Sequence, residues 1–212
     1  MTRSSLGLAP AGNTDVEGVA QAARACLLCA DLPLGPRPVL RVSATARLLI
    51  VGQAPGTKVH ASGIPWDDAS GARLREWMGI GPDVFYDSKR IAIVPMGLCY
   101  PGRLPRGGDA PPRAACAPTW HPRLLAAMPA LETILLVGSY AQARYLGPGS
   151  VARHVGAFRE HLPRFLPLPH PSWRTLAWER RNPWFGKELL PVLRARVAAL
   201  TLPARGARSS RR

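Results

Sequence analysis

The chain has 212 residues, 47% of them hydrophobic, which suits one α/β domain with a buried core and is too short for two full domains. Its 28 lysines and arginines against 13 aspartates and glutamates give a net charge of +15. No apolar run approaches the roughly 20 residues of a membrane helix, and no signal-peptide core follows the first residues. The composition therefore excludes a membrane-spanning protein and indicates a soluble, cytoplasmic one.

Nearly all of the positive charge is arginine, since only Lys58, Lys89 and Lys187 are lysines. Arginine binds phosphate oxygens through two parallel hydrogen bonds, so the excess favours a polyanionic partner such as nucleic acid. Codon usage in a GC-rich genome would produce a similar composition. Charge alone leaves both explanations open.

The first half of the chain alternates between helical patterns and short apolar runs. Apolar residues at near-helical spacing predict a helix over residues 15–29 that ends at a C-x2-C pair. Residues 47–51 are almost wholly apolar and precede a Gly-Gln-Ala-Pro-Gly turn, as expected of a buried central strand. An amphipathic helix is predicted over residues 70–80, and a second strand over residues 91–94 stops at Pro95.

The second half continues the same alternation. Residues 133–138 predict a third strand that runs into a helix over residues 139–146. Residues 165–168 predict a fourth strand, and Pro167 favours an edge position for it because proline cannot donate to a ladder. A last helix is predicted over residues 183–200.

Strands that alternate with helices predict an α/β fold, a three-layer αβα sandwich with a central, mostly parallel four-stranded sheet. We expect a single domain over residues 1–203 and a basic, disordered tail over residues 204–212. Ligands of such sheets bind beyond the carboxyl ends of the strands. The segments that follow those ends are 52–56, 95–99, 138–142 and 170–175.

The four cysteines are Cys26, Cys29, Cys99 and Cys116. The first two form the C-x2-C pair, and the last two frame a sixteen-residue segment rich in proline, glycine and arginine. Structural disulfides are not expected in a reducing cytoplasm, so this arrangement indicates a metal or cluster site. Zinc and a four-iron cluster both accept four thiolates, and four unrelated thiols are the simpler alternative.

Three motifs lie at the predicted ligand-binding edge. Gly52–Gly56 is a tight turn whose backbone N–H groups can hold an anion or a carbonyl. It matches neither the Walker loop nor the dinucleotide-binding G-x-G-x-x-G motif. Trp66 stands directly before Asp67 and Asp68 at a predicted helix start, where either acid can simply cap the helix. His170 lies between two prolines that stiffen its backbone, as a catalytic group requires, although a lone histidine is more often structural.

In this order the motifs resemble those of the uracil-DNA glycosylase superfamily, especially its iron–sulfur branches, families four and five. GQAPG at 52–56 and HPS at 170–172 are similar to the two active-site motifs, and GIPWDDASG at 63–71 is similar to a family-five block. The cysteine spacing is similar to that of the same branches. The resemblance covers about residues 20–200 and implies a DNA-repair enzyme that hydrolyses uracil from its sugar, with a 4Fe–4S cluster ranked above zinc on the four cysteines.

The resemblance also implies individual roles. His170 would donate a hydrogen bond to the base O2 and stabilise the leaving anion, and Trp66 would stack on the flipped base. Gln53 would position the base or the water. Asp68 would position water or support the cationic sugar, with Asp67 as second choice. The further substrate contacts are assigned to Gly52, Ala54, Pro55, Gly56 and Met96.

Two departures from the superfamily pattern affect chemistry and specificity. The best-known uracil glycosylases have an Asp where this chain has Ala54, so the usual water-activating acid is missing. Several branches read uracil with an Asn on the second strand, where this chain has Pro95 and Met96. Neither side chain can pair with a base edge, so backbone groups are expected to read it, and hypoxanthine and xanthine stay open as substrates.

The predicted DNA contacts follow the HPS motif. Trp173 would wedge into the gap left by the flipped base, while Ser172 and Arg174 would contact the backbone. Lys58 is a weaker candidate for a phosphate contact. A solvated loop with a packed tryptophan is the alternative for this segment.

We expect a monomer, and two other functions compete with the glycosylase. A relative on the same fold could capture uracil in DNA without turnover, or bond to it covalently. The loop at 103–108 lacks the histidine that some such relatives carry, which disfavours this alternative. A nucleotide-binding α/β protein with a redox cluster is disfavoured because no standard phosphate loop is present.

Overall fold

The computed structural model describes residues 15–201 around a four-stranded parallel sheet. Its strands are β1 (Leu48–Val51), β2 (Ile91–Ile93), β3 (Thr133–Val137) and β4 (Phe165–Leu168). The spatial order is β2-β1-β3-β4, and every neighbouring pair is parallel. The edge position predicted for the fourth strand from Pro167 is confirmed. Residues 1–14 and 202–212 lie outside the described part, so the domain limits and the tail at 204–212 stay predictions.

Helices connect the strands and cover both faces of the sheet. Within residues 15–201 the α-helices are α1 (Val16–Arg24), α2 (Thr57–Ser62), α3 (Ala69–Met78), α4 (Pro82–Phe85), α5 (Cys116–Ala126), α6 (Ser139–Leu146), α7 (Val151–Gly156), α8 (Phe158–His161), α9 (Leu176–Arg181) and α10 (Leu190–Thr201). A 3-10 turn spans Trp173–Thr175, and a π-helical turn spans Phe185–Leu189 ahead of α10. None of these helices is long and apolar enough to pass through a membrane.

The alternation of side chains along the strands builds two cores. In β1, Leu48 and Ile50 point into the core shared with α3 and α10, whereas Leu49 and Val51 point into the core shared with α1 and α5. All four side chains are fully buried. Burial of such a side chain contributes about 1.5–3 kcal/mol relative to exposure, which explains the uninterrupted apolar run. Helices over two apolar faces confirm the predicted three-layer αβα architecture.

Two helices differ from the prediction near the cysteines. α1 ends at Arg24, and Ala25 caps it, so the C-x2-C pair lies in the turns that follow and does not end the helix. α5 was not predicted because it contains two prolines, which normally signal a break. Pro118 lies in the first turn, where its missing N–H costs nothing, whereas Pro122 lies inside the helix. Cys116 is thereby placed at the first position of a helix.

Candidate active site

A cleft opens at the carboxyl end of the sheet, where the topology predicts ligand binding. Its empty space, including the open mouth, is about 600 Å³. Every strand except β3 sends residues into it, either directly or through the segment that follows. The residues that line the cleft include Gly52, Gln53, Ala54, Pro55, Gly56, Trp66, Asp68, Ser70, Pro95, Asp109 and His170.

Trp66 is held in an unusual backbone conformation beside the first turn. Its φ of 59° lies in the left-handed region, which costs free energy for a bulky residue. The Trp66 carbonyl accepts hydrogen bonds from Tyr86 Oη at 3.3 Å and Arg75 Nη1 at 3.4 Å, and these bonds hold the conformation. The indole packs over Gly52, where a Cβ atom would lie 2.7 Å from Trp66 Cζ2. Glycine at position 52 therefore makes room for the ring.

His170 faces Trp66 across the cleft, with ring centroids 5.9 Å apart and planes inclined by 33°. Its carbonyl accepts hydrogen bonds from Ser172 N at 2.8 Å and from Thr175 Oγ1, which fix the loop that follows. Neither ring nitrogen bonds to any group within residues 15–201. Burial lowers the pKa of His170, opposed by the charges of Asp68 and Asp109. The imidazole is therefore neutral near pH 7 and available to a ligand.

The two acids after Trp66 have different environments. Asp68 Oδ1 accepts a hydrogen bond from Gly71 N at 2.7 Å, so Asp68 is the N-cap of α3. Asp67 is exposed and does not cap the helix. Only Asp68 lines the cleft. Helix capping and a place in the cleft are thus combined in one carboxylate.

Asp109 is a cleft residue that sequence reasoning missed. It lies in the segment between Cys99 and Cys116, which forms a hairpin closed by a bridge between Arg103 and Asp109. Burial raises the pKa of Asp109, opposed by the charge of Arg103 and supported by that of Asp68. The available signal was one acid within an otherwise basic, proline-rich segment. Only the folded hairpin brings it beside His170.

The substrate contact predicted for Met96 is wrong. Its side chain is 9% exposed and packs in the core with Val94, while Pro95 lines the cleft instead. The backbone of this segment is also occupied, because Met96 N donates to Gly52 O at 2.9 Å. The Pro95 carbonyl faces His121 Nε2 at 3.0 Å. The Pro95 carbonyl and the Met96 N–H are therefore already paired with groups of the protein.

His121 fixes this wall of the cleft from behind. It is 2% exposed, and burial lowers its pKa, so the ring is neutral. Because the Pro95 carbonyl can only accept, Nε2 carries the proton and donates, while Nδ1 accepts from Tyr145 Oη at 2.6 Å. Burial raises the pKa of Tyr145 to about 12, which keeps its hydroxyl a donor.

A second cleft adjoins the first and contains the predicted DNA-contacting loop. The first is called the inner cleft and the second the outer cleft. The outer cleft is lined by Gln53, Ala54, Ser70, Leu104, Gly107, Gly108, Asp109, His170, Ser172, Trp173 and Arg174. Trp173 is 75% exposed, so the alternative of a packed tryptophan is wrong. The Arg174 guanidinium lies 5.5 Å from the centre of the Trp173 ring. Lys58 is exposed on α2 and lines neither cleft.

Arg73 supports that loop from α3. Its Nη2 forms an ion pair with Glu179 of α9 at 2.6 Å, and its Nη1 donates to Ser172 O at 3.2 Å. Both charged side chains are mostly buried, at 17% and 23% exposure, so the pair is less screened than a surface pair. The exposed Trp173 thus stands on a braced backbone.

The sequence of residues 41–194 matches the family model of the uracil DNA glycosylase superfamily. The chain belongs to this superfamily. The matched region contains all four strands and every residue of both clefts except Val39. Members of this superfamily typically hydrolyse N-glycosyl bonds in DNA, which supports a function of the DNA-repair glycosylase type for this chain.

In this superfamily member the four cysteines come together beside α5, in a cavity that shares no lining residue with the two clefts. Cys26, Cys29, Cys99 and Cys116 line one largely apolar cavity, and all four are free thiols. Burial, together with smaller contributions from the three nearby cysteines, raises the pKa of Cys99 to about 11. Leu98 N donates to Cys116 Sγ at 3.3 Å.

Proposed function

We propose that this protein hydrolyses the N-glycosidic bond of uracil, or of another deaminated base, in DNA and leaves an abasic site. The observation that carries the proposal is the facing pair of Trp66 and His170 at the carboxyl end of the sheet. An aromatic face and an imidazole without a partner among residues 15–201, 5.9 Å apart, suit a flat base that stacks on one and accepts a hydrogen bond from the other.

The proposed chemistry follows the charges that develop when the bond breaks. Negative charge appears on the departing base and positive charge on the sugar, so groups that stabilise either charge lower the barrier. His170, neutral because burial lowers its pKa, donates an N–H hydrogen bond to the base O2. Trp66 stacks on the base, a contact of about 1–3 kcal/mol. Asp68 supports the cationic sugar through the oxygen that does not cap α3.

Gln53 is the side chain best suited to read the base edge. Its Nε2 makes one long bond to Ala110 O at 3.4 Å, and its Oε1 has no partner within the described part of the chain. An amide offers both a donor and an acceptor, as the uracil edge requires. We therefore assign the reading of the base edge to the Gln53 amide and not to the backbone at Pro95 and Met96.

The outer cleft is proposed to hold the DNA strand. The exposed Trp173 enters the space left by the flipped base, and Arg174 contacts a phosphate. Ser172 lines the outer cleft beside them. Lys58 adds at most a remote phosphate contact, since it lies outside both clefts.

The decisive experiment offers the purified protein single- and double-stranded oligonucleotides that contain uracil, hypoxanthine or xanthine. We expect alkali-labile abasic sites at uracil and none in undamaged strands. Tight binding to uracil-containing DNA without strand cleavage would instead support a non-turnover relative. A covalent complex that survives denaturation would support a trapping relative.

We further propose a 4Fe–4S cluster on Cys26, Cys29, Cys99 and Cys116. Four thiols from three chain segments line one cavity, and a backbone N–H donates to the sulfur of Cys116, as is common around cluster ligands. Within residues 15–201, no three Cys, His, Asp or Glu side chains are arranged to hold a single metal ion. When bound, the cluster would join the segment after α1 to both ends of the Asp109 hairpin.

Replacement of Cys99 with serine is expected to remove the cluster. Anaerobically purified wild-type protein should show the broad visible absorption of an iron–sulfur chromophore with bound iron and sulfide, and Cys99→Ser should lose both. Ala114→Ser, at an exposed position of the same segment that does not line the cysteine cavity, is the matched control and should keep them. A colourless, zinc-containing wild-type protein would contradict the proposal.

A further inference from the structure

We propose that Asp109 is the carboxylate that activates the attacking water, in place of the acid that is absent at Ala54. This inference rests on the proposed glycosylase function and assigns one more residue to it. It is carried by the position of Asp109 where the inner and outer clefts meet.

Five residues line both clefts and therefore mark their junction: Gln53, Ala54, Ser70, Asp109 and His170. If the base lies in the inner cleft and the DNA strand in the outer one, the bond between base and sugar must lie at this junction. Asp109 is the acid found there, since Asp68 lines the inner cleft alone. A water beside Asp109 would thus adjoin the sugar C1′ atom.

The carboxylate of Asp109 has no structural task that competes with catalysis. Within residues 15–201 neither of its oxygens has a hydrogen-bond or ion-pair partner, whereas Asp68 gives one oxygen to the cap of α3. Asp109 Oδ2 would lie 3.5 Å from a Cβ atom at Gly56, the N-cap of α2. The carboxylate therefore lies over the same turn that contains Ala54, reached from a different chain segment.

The hairpin fixes this position through its backbone. Ala110 N donates to Gly102 O at 2.8 Å, and Leu104 N donates to Gly108 O at 2.9 Å. The groups that face the carboxylate are Arg103, Asp68 and His170. Burial raises the pKa of Asp109 above its usual value, which makes the carboxylate a stronger base than an exposed aspartate.

In the proposed step, water transfers a proton to Asp109 while its oxygen bonds to C1′. The C1′–N bond breaks, and its electron pair stays on the base, which His170 stabilises. Asp109 then returns its proton to solvent, and the base anion takes up one proton from solvent. The sum is one water consumed for one free base and one abasic sugar.

The test is the single-turnover rate of uracil excision by Asp109→Asn. The rate constant should fall by about 100-fold or more, because general-base assistance contributes typically 10²–10⁴-fold. Affinity for uracil-containing DNA and the melting temperature should stay unchanged, since Asn keeps the shape and no partner is lost. Asp83→Asn, an exposed acid of α4 outside both clefts, is the matched control and should excise at the wild-type rate.

The outcomes separate this inference from the function on which it rests. Excision by Asp109→Asn within threefold of an active wild type would overturn the role of Asp109 and leave the glycosylase intact. A large loss accompanied by lost DNA affinity or a lower melting temperature would overturn it too, since the role would then be structural. Wild-type protein that excises none of the three bases would overturn both.

Discussion

His170→Ala is expected to lower the single-turnover rate of uracil excision by about 10²–10³-fold, the cost of removing one donor from a developing anion. The imidazole is the donor that faces Trp66 without a protein partner of its own within the described residues. Affinity for uracil-containing DNA should change little, because the hydrogen bond strengthens only as the base becomes an anion. Gel-based cleavage under enzyme excess and a binding titration measure the two quantities.

The pH dependence provides a second readout for His170. Burial lowers the pKa of His170, so the neutral form persists below the ordinary value of about 6.5. If the neutral ring is the active form, the wild-type rate should hold through neutral pH and fall only below that value. His161→Ala, at a histidine outside both clefts, should keep the rate and this acid limb. An unchanged rate for His170→Ala would contradict the assignment.

Gly71→Ala is expected to be the most destabilising single-methyl change at the site. A Cβ atom at Gly71 would lie 1.8 Å from the carbonyl oxygen of Trp66, which is backbone and cannot rotate away. The strained turn at Trp66 would have to shift, together with its bonds to Tyr86 and Arg75. Overpacking of this kind costs about 3 kcal/mol or more, equivalent to a melting temperature lower by roughly 6–12 °C.

The matched control for Gly71→Ala is Gly186→Ala. Gly186 lies in the π-helical turn, and a Cβ atom there would meet nothing within 4 Å. Alanine should leave stability unchanged or raise it by about 0.4–1 kcal/mol through the unfolded chain. Thermal melting of both variants, with excision measured on each, is the test. A Gly71→Ala protein that melts with the wild type would mean that the Trp66 turn is not rigid.

Strand positions and the ligand-binding edge followed from the sequence because their signals are local. A fully buried parallel strand must be apolar on both faces, so the runs at 47–51 and 133–138 stand out against polar neighbours. Because the carboxyl ends of parallel strands lie at the same edge of a sheet, the segments 52–56 and 170–172, which follow two strands, are placed at one edge. Period-two alternation from Ala92 and Val94 would also have directed Met96 into the core.

The remaining parts of the site depend on contacts between distant segments. Asp109 reaches His170 only because a hairpin folds over the turn at 52–56. A proline-rich run does not predict the geometry of such a hairpin. α5 was hidden because tertiary packing of Trp120 and Leu124 outweighs the cost of Pro122.

The sequence by itself therefore determined the parallel α/β sheet, because periodicity and strand ends are properties of neighbouring residues. It also marked Trp66 and His170 as candidate site residues through the motifs that contain them. Only the tertiary structure decided that Asp68 caps α3, that Pro95 and not Met96 faces the cleft, and that Asp109 joins it. Those choices depend on which backbone groups and side chains meet across the sheet edge, where residues far apart in sequence become neighbours.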